Sequence, residues 1–195
     1  PFTVTGPLTG GQFSMVGNVS SQFFSGLLLT APIVGGASIT STTELQSRDY
    51  VRLTMGVMKD FGVTVDESAD GNTFTVPAGA SFHGRQDYAI EGDWSNGAIW
   101  LVAAALTGAP ITVVGLSPDS VQADRRIAEV VANAGTTLTA GTDTATGLPT
   151  LTASGRAVNP LDIDLRQMPD LLQEITEYNF NLQVFVRYIE PKYRV

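Results

Sequence analysis

The amino-acid sequence predicts a mixed α/β fold assembled from a repeated βαβαββ unit. Short stretches with strand character alternate with longer apolar stretches that have helical spacing, and Gly or Pro stands at many of the junctions. Gly92 follows Gly17 by 75 positions, and Ser95 follows Ser20 by the same interval. A fixed interval is the signature of an internal repeat. We therefore expect two copies of the unit and the start of a third at Leu161.

Each unit should alternate strands and helices before a closing hairpin. In the first unit we expect, in order, a strand over residues 13–16, a helix over 20–31, a strand over 37–42, a helix over 48–61, and a hairpin of 63–65 with 73–76. In the second unit we expect a strand over residues 88–90, a helix over 95–106, a strand over 111–114, a helix from a cap at 119–120 through 134, and a hairpin of 136–139 with 148–152. One unit has too small a core to be stable alone, so the units should pack on one another.

The composition argues against several classes of site and function. The chain has 195 residues and no cysteine, and its single histidine is His83, so we expect neither disulfides nor a metal site. A net charge of −8 with 11 Lys and Arg argues against nucleic-acid binding. The longest apolar stretches are far shorter than the roughly 20 residues that cross a membrane, and no secretory signal opens the sequence. We expect a cytoplasmic protein, or a plastid one in a plant, and the first residue, Pro1, suggests a fragment or a processed product.

A polar segment opens the first predicted helix. Ser20, Ser21 and Gln22 precede an apolar stretch, so their side chains should lie in the first helical turn. Unpaired backbone N–H groups and the helix dipole favour an anion there, and three donor side chains could complete a phosphate or carboxylate site. Ordinary N-capping by Ser20 or Ser21 explains the same residues. Residue type alone leaves both interpretations open.

This segment, Gly-Asn-Val-Ser-Ser-Gln-Phe at residues 17–23, resembles the corresponding segment of the 5-enolpyruvylshikimate-3-phosphate (EPSP) synthases, which are enolpyruvyl transferases. The resemblance continues in the family's order through Leu-Gln-Ser-Arg-Asp-Tyr at 45–50, Met-Lys-Asp-Phe-Gly-Val at 58–63, Tyr-Ala-Ile-Glu-Gly-Asp at 88–93 and Leu-Asp-Ile-Asp-Leu-Arg-Gln-Met-Pro-Asp at 161–170. Residues 173–195 do not match the family's pattern.

The resemblance implies an incomplete inverse α/β barrel, or prism, with helices inside, sheets outside and a cleft between two domains. Residues 1–90 would form one βαβαββ unit of the first domain, residues 91–165 one unit of the second, and residues 166–195 the start of a third unit plus the unmatched tail. The chain would cross between the domains near Glu91 and Asp93, which become candidates for a hinge or for the lining of the cleft.

The resemblance also assigns site residues. The side chains that would bind the phosphate of shikimate 3-phosphate are those of Ser20, Ser21, Gln22 and Ser47. Tyr50 would contact the ring of that substrate. Asp170, which follows Ser95 by a further 75 positions, would hold the reacting hydroxyl and help to move its proton. Without the resemblance, Ser47 and Asp170 are ordinary helix-capping residues and Tyr50 is a half-buried aromatic.

The implied activity is transfer of the enolpyruvyl group from phosphoenolpyruvate to the 5-hydroxyl of shikimate 3-phosphate, without a metal or organic cofactor. None of the chain's Lys or Arg matches the family's phosphoenolpyruvate-binding motifs. An alternative is therefore a non-catalytic half-site module that binds shikimate 3-phosphate or needs a complementary chain. The related transferase that acts on UDP-N-acetylglucosamine is disfavoured by the Ser-Ser-Gln run.

Overall fold

The computed structural model describes residue 3, residues 5–165, residues 168, 171 and 175, and residues 184–188, with Asp164 and residues 184–188 described by their backbone alone. The chain divides into two compact units, Pro1–Tyr88 and Ala89–Val195. No helix in the described ranges is long and apolar enough to cross a bilayer.

The first unit packs two helices on a four-stranded sheet. Its elements are β1 (Gly11–Met15), α1 (Ser21–Thr30), β2 (Ala37–Ser41), α2 (Arg48–Asp60), β3 (Asp66–Glu67) and β4 (Thr73–Val76). The strand order is β1-β2-β4-β3, with β1 parallel to β2 and the other two pairs antiparallel. The predicted alternation of strands and helices is confirmed in this unit, with bounds that shift by one or two residues for β1, α1, β2 and α2.

The core of the first unit lies between these two helices and the sheet. Each helix contributes one apolar face, and β2 and β4 contribute the facing side chains. The fully buried members with the largest side chains are Phe24, Leu28, Ile39, Leu45, Val51, Met58 and Phe74. The rings of Phe24 and Phe74 meet edge to face, with centroids 6.2 Å apart and an interplanar angle of 72°. Aromatic pairs favour this geometry.

The closing hairpin of the first unit differs from the prediction, because residues 63–65 form no strand. The Val63 N–H donates to the Met58 carbonyl at 2.8 Å and so closes the end of α2. Val63 and Val65 are buried, and their alternation therefore reports core packing rather than strand pairing. The strand begins directly after this segment, at Asp66–Glu67, and pairs antiparallel with β4.

The second unit contains α3 (Trp94–Thr107), β5 (Ile111–Val114), a short 3₁₀ helix (Ala123–Arg126), α4 (Ile127–Asn133), β6 (Thr137–Thr142), β7 (Pro149–Ser154), β8 (Leu161–Asp164) and β9 (Val184–Tyr188). Strands β5, β7 and β6 form an antiparallel sheet in that order, and β8 pairs parallel with β9. The buried core includes Ala98, Leu101 and Ala105 from α3 together with Ile127 and Val131 from α4.

Two predictions for the second unit are wrong. Residues 88–90 form no strand, and Ile90 is 88% exposed. The apolar residues of this segment therefore do not mark a buried strand. The predicted helix over 119–134 begins only at Ala123, as a 3₁₀ turn. The cause is local competition, since the Ser120 hydroxyl accepts from the Gln122 N–H at 3.1 Å in a turn ahead of the helix.

Candidate functional site

The predicted site residues of the first unit lie in two segments that meet at one edge of its sheet. Strands β1 and β2 are parallel neighbours, so their carboxyl ends share an edge, and each is followed by a segment that leads into a helix. The Gly17 N–H donates to the Thr43 hydroxyl at 2.9 Å, and the Gln46 N–H donates to the Gly17 carbonyl at 3.1 Å. These bonds tie the entry to α1 to the entry to α2.

Gly17 allows this close approach. A Cβ at position 17 would collide with the Ser41 hydroxyl and lie 2.9 Å from the Leu45 Cα. Leu45 is fully buried, so the second segment cannot withdraw without opening the core. The glycine therefore sets how near the two helix starts lie to each other.

Ser20 caps α1. Its backbone is extended (φ −164°, ψ 132°), and its hydroxyl oxygen accepts from the Gln22 N–H at 3.2 Å. This capping bond uses a lone pair and leaves the hydroxyl hydrogen available to a ligand. Ser21 is buried and Gln22 is exposed, and the first turn of α1 has no acidic residue to neutralise the positive end of the helix dipole. The cap and an anion site are therefore compatible at this helix start.

Ser47 precedes α2 in a left-handed backbone conformation, with φ 51° and ψ 40°. It is the one residue other than glycine with a positive φ among those that the structure describes. This conformation costs roughly 1–2 kcal/mol for a residue with a Cβ. The Ser47 side chain makes no capping hydrogen bond, so capping does not compensate the cost. Backbone strain of this kind concentrates at functional sites.

Tyr50 lies in the first turn of α2 and is half-buried. Its N–H donates to the Ser47 carbonyl at 3.1 Å, which links it to the strained residue through the backbone. The structure thus brings the segment of Ser20, Ser21 and Gln22 next to the segment of Ser47 and Tyr50. Asp170 lies outside the described residues.

An ion-pair cluster holds the same end of α2 to the β3–β4 hairpin. Arg52 donates from Nε and Nη2 to the two carboxylate oxygens of Glu67, at 3.2 and 3.0 Å. Arg48 Nη1 donates to the Gly71 carbonyl at 2.6 Å and lies 3.4 Å from Glu67 Oε1. The Glu67 hydrogen bond, with smaller contributions from the charges of Glu67 and Asp49, raises the pKa of Arg52 above its ordinary value.

Sequence reasoning missed this cluster. Arg48 and Arg52 are spaced i,i+4 and therefore lie on one face of α2, which was an available signal for a shared acidic partner. Glu67, however, belongs to a segment that was predicted as a turn. Both guanidinium groups are hydrogen-bonded to the hairpin.

At the start of the second unit, Glu91 and Asp93 both accept local hydrogen bonds. Asp93 caps α3, with Oδ1 accepting from the Ser95 N–H at 2.9 Å. Glu91 Oε1 accepts from the Ser120 hydroxyl and from Gln122 Nε2, each at 3.0 Å. Helix α3 thus starts one residue before Ser95, which is not its cap and so is not equivalent in role to Ser20.

Gln122, which sequence reasoning also missed, joins these groups. Its Nε2 donates to the Glu91 carboxylate and to the Gly92 carbonyl, both at 3.0 Å, and its Oε1 accepts from the Trp94 N–H at 2.9 Å. The fully buried Asp124 accepts from the Ser95 hydroxyl. Three carboxylates, those of Glu91, Asp93 and Asp124, thus lie near the start of α3, whereas the first turn of α1 contains no acidic residue. Over the described part of the chain, no three His, Cys, Asp or Glu side chains are grouped to hold a metal ion.

Residues 1–176 match the family described as EPSP synthase (3-phosphoshikimate 1-carboxyvinyltransferase). The chain belongs to the EPSP synthase family. The family resemblance seen in the five sequence blocks is thereby confirmed.

Curated relatives in this family include bacterial proteins named 3-phosphoshikimate 1-carboxyvinyltransferase. The one from Cronobacter sakazakii is 34% identical over 176 residues, which cover 90% of this chain and 40% of the relative. The one from Idiomarina loihiensis is 32% identical over 172 residues, 87% of this chain and 38% of the relative. An Escherichia coli relative is 33% identical over 176 residues, with 90% and 40% covered. The chain therefore spans about 40% of the length of these relatives.

Solved structures confirm the fold class. EPSP synthase from Acinetobacter baumannii superposes with a TM-score of 0.57 at 22% identity, covering 86% of this chain and 37% of that one. The enolpyruvyl transferase NikO from Streptomyces tendae superposes with a TM-score of 0.56 at 17% identity, covering 84% and 41%. The chain thus has the α/β fold of the enolpyruvyl transferases, and it has part of that fold.

Proposed function

We propose that the chain forms the shikimate 3-phosphate-binding part of an EPSP synthase. The complete enzyme would move the enolpyruvyl group of phosphoenolpyruvate to the 5-hydroxyl of shikimate 3-phosphate through a tetrahedral intermediate and release phosphate. The observation that carries this proposal is the junction of two helix starts, α1 with Ser20–Gln22 and α2 with Ser47–Tyr50, at the carboxyl edge of β1 and β2.

The phosphate would be held by Ser20, Ser21, Gln22 and Ser47. Hydroxyl and amide groups donate to phosphate oxygens, and a helix N-terminus without an acidic residue adds a favourable potential. The Ser20 hydroxyl can donate while it caps α1, and the exposed Gln22 amide has two further N–H donors. Neutral donors suit a substrate that must also be released.

Tyr50 would pack on the shikimate ring, and Asp170 would hold the 5-hydroxyl as it attacks phosphoenolpyruvate. A carboxylate within hydrogen-bond reach of that hydroxyl can also take its proton. The role of Asp170 rests on the Met-Pro-Asp motif at residues 168–170, which matches the family's pattern.

The domain assignment is part of the same proposal. Residues 1–90 would belong to the first domain of the enzyme, residues 91–165 to the second, and residues 166–195 would begin a third unit, with the crossing near Glu91 and Asp93. Their hydrogen bonds to Ser120, Gln122 and Ser95 suit a hinge whose far side is anchored. A cytoplasmic location, or a plastid one in a plant, stays a prediction.

The second candidate is a half-site module that binds shikimate 3-phosphate without catalysis, or that needs a complementary chain. Two observations favour it. The chain spans about 40% of its curated relatives. The cations nearest the site on α2, Arg48 and Arg52, are bonded to the hairpin. A site for two anionic substrates would then take its missing cations from elsewhere. The UDP-N-acetylglucosamine transferase reaction is less favoured, because the Ser-Ser-Gln run matches the shikimate enzymes.

Titration calorimetry with shikimate 3-phosphate, alone and with phosphoenolpyruvate, tests both candidates. Binding with phosphate release supports the complete activity and contradicts the half-site module. Binding without phosphate release supports the half-site module. No binding of either ligand contradicts both.

A Ser21→Ala variant tests the phosphate site itself. Loss of one hydrogen bond to a charged group should weaken shikimate 3-phosphate binding by about tenfold. Ser154→Ala, a matched change on β7 of the other unit, should leave the affinity unchanged. Equal affinity of the Ser21→Ala variant and the unsubstituted chain would contradict the proposed phosphate site.

A further inference from the structure

We propose that Glu67 is a positioning residue, which sets the start of α2 so that Ser47 and Tyr50 face the ligand. The proposal rests on the function proposed above and adds a residue to the same site. Glu67 itself lies on β3 and acts through Arg48 and Arg52.

Glu67 is fixed before it meets the helix. It pairs with Phe74 across the β3–β4 ladder, and Phe74 is fully buried in the core of the first unit. The turn after β3 is closed by the Ser68 hydroxyl, which accepts from the Thr73 N–H at 2.9 Å, and by Asp70, which accepts from the Asn72 N–H at 3.1 Å. The carboxylate therefore projects from a rigid hairpin.

The two arginines reach this carboxylate from successive turns of α2. Arg52 binds it with two parallel hydrogen bonds, the geometry that gives Arg–carboxylate pairs their directional strength. Arg48 is the first residue of α2, and it spans Glu67 and the Gly71 carbonyl. The exposed fractions of the Arg48 and Glu67 side chains are 22% and 20%, so solvent screens this pair less than a fully exposed one.

Gly71 leaves room for the Arg48 guanidinium because it has no side chain. Its φ is 69°, and a Cβ there would collide with Arg48 Nη1. The hairpin therefore binds the Arg48 guanidinium through two acceptors, the Gly71 carbonyl and the Glu67 carboxylate.

The binding of Arg48 to the hairpin matters because the start of α2 lacks a side-chain cap. Ser47 holds a left-handed conformation without a capping hydrogen bond, so the orientation of the first turn depends on the contacts of the next residue, Arg48. Arg48, locked to the hairpin, supplies that restraint. The hairpin then positions the backbone that carries the Ser47 hydroxyl and the Tyr50 ring, since the Tyr50 N–H donates to the Ser47 carbonyl.

The test uses the full chain with Glu67→Ala and the matched control Asp66→Ala. Asp66 is the exposed neighbour on the same strand and carries the same charge. Calorimetry should show that Glu67→Ala weakens shikimate 3-phosphate binding by about fivefold, the loss expected for a well-formed ion pair. Asp66→Ala should change the affinity less than about twofold.

Double-mutant cycles separate positioning from general destabilisation. Glu67→Ala should cost less affinity in a Ser47→Ala background, where its target hydroxyl is gone, than in a Ser21→Ala background. Equal losses in both backgrounds would overturn the positioning role. So would a loss of the same size from Asp66→Ala.

Hydrogen exchange without ligand keeps this proposal distinct from the proposed function. Glu67→Ala should speed exchange of the backbone amides of residues 48–52, and Asp66→Ala should not. Ligand binding that Glu67→Ala leaves unchanged overturns the positioning role alone. If the unsubstituted chain binds no shikimate 3-phosphate, the proposed function fails and the positioning role falls with it. Faster exchange in that case would show that the ion-pair cluster of Glu67 with Arg48 and Arg52 only stabilises α2.

Discussion

The hydroxyl oxygens of Ser25 on α1 and Thr54 on α2 lie 2.7 Å apart. Thr54 also donates its hydroxyl hydrogen to the Tyr50 carbonyl at 3.0 Å, so Ser25 must be the donor in the pair. The bond joins the two helices whose starts carry the proposed ligand contacts. Their mutual orientation thus depends on a polar contact as well as on the apolar core.

Ser25→Ala should lower the free energy of unfolding by about 1 kcal/mol, because it removes a partly buried hydrogen bond between the helices. Urea denaturation measures the change. Ser14→Ala, on the exposed side of β1, is the control and should stay within about 0.5 kcal/mol of the unsubstituted chain. Equal effects of the two variants would show that the Ser25 bond contributes nothing to stability.

Phe24→Ala should lower the free energy of unfolding by about 3–5 kcal/mol, because Phe24 is fully buried against Phe74 and its removal leaves a cavity. Phe23→Ala is the matched control, since Phe23, next to Phe24 on α1, is 57% exposed. The same denaturation experiment compares them. A larger loss for Phe23 than for Phe24 would mean that the exposed face of α1 is covered in solution.

Gly17→Ala should destabilise the first unit and weaken shikimate 3-phosphate binding, because the added methyl group forces the two helix-entry segments apart. Gly26→Ala should instead stabilise α1 by about 0.5–1 kcal/mol through helix propensity, since a Cβ there meets no atom within 4 Å. Thermal unfolding and calorimetry measure the two effects. Unchanged affinity in a folded Gly17→Ala variant would argue against a site shared by the two segments.

Asp70→Asn should make stability less dependent on pH. The Ser68 hydroxyl, and after it the Asn72 backbone N–H, hold the pKa of Asp70 below its ordinary value of 3.8. A carboxyl whose pKa is lowered by folding adds stability above its unfolded pKa, and this stability is lost as the pH falls through the folded value. The stability difference between the two proteins should therefore be present at neutral pH and shrink below about pH 4.

Urea midpoints measured across this pH range test that prediction, with Asp66→Asn on the neighbouring strand as the control. A gap between the Asp70→Asn variant and the unsubstituted chain that stays constant with pH would contradict it.

Local signals were sufficient for the features that depend on a single segment. The start of α1 and its Ser20 cap follow from a serine before an apolar stretch. The end of α2 follows from Gly62, whose φ is 92°. The family motifs supplied the pairing of the two helix starts, and parallel β1 and β2 give its physical basis.

Features that depend on distant contacts could not be predicted. The alternation of Val63 and Val65 is the same for a paired strand as for two side chains buried beyond a helix end. The sequence predicts Glu67 as a turn residue, and only the folded hairpin places it opposite Arg48 and Arg52. Ile90 is the opposite case, an apolar residue that is exposed. Its segment has the residue types of a strand but pairs with no strand in the described part of the chain, and the sequence does not reveal whether a pairing partner exists.

The left-handed backbone of Ser47 sets a limit on how this protein can be made more heat-resistant. Glycine adopts that conformation without a steric cost, so Ser47→Gly relieves the strain and removes the hydroxyl in one step. A screen for thermal tolerance that ignores ligand binding would therefore favour a substitution that removes one of the proposed phosphate-binding hydroxyls. Under the proposed function, stability and phosphate binding compete at this position, and selection for binding would retain the more strained residue.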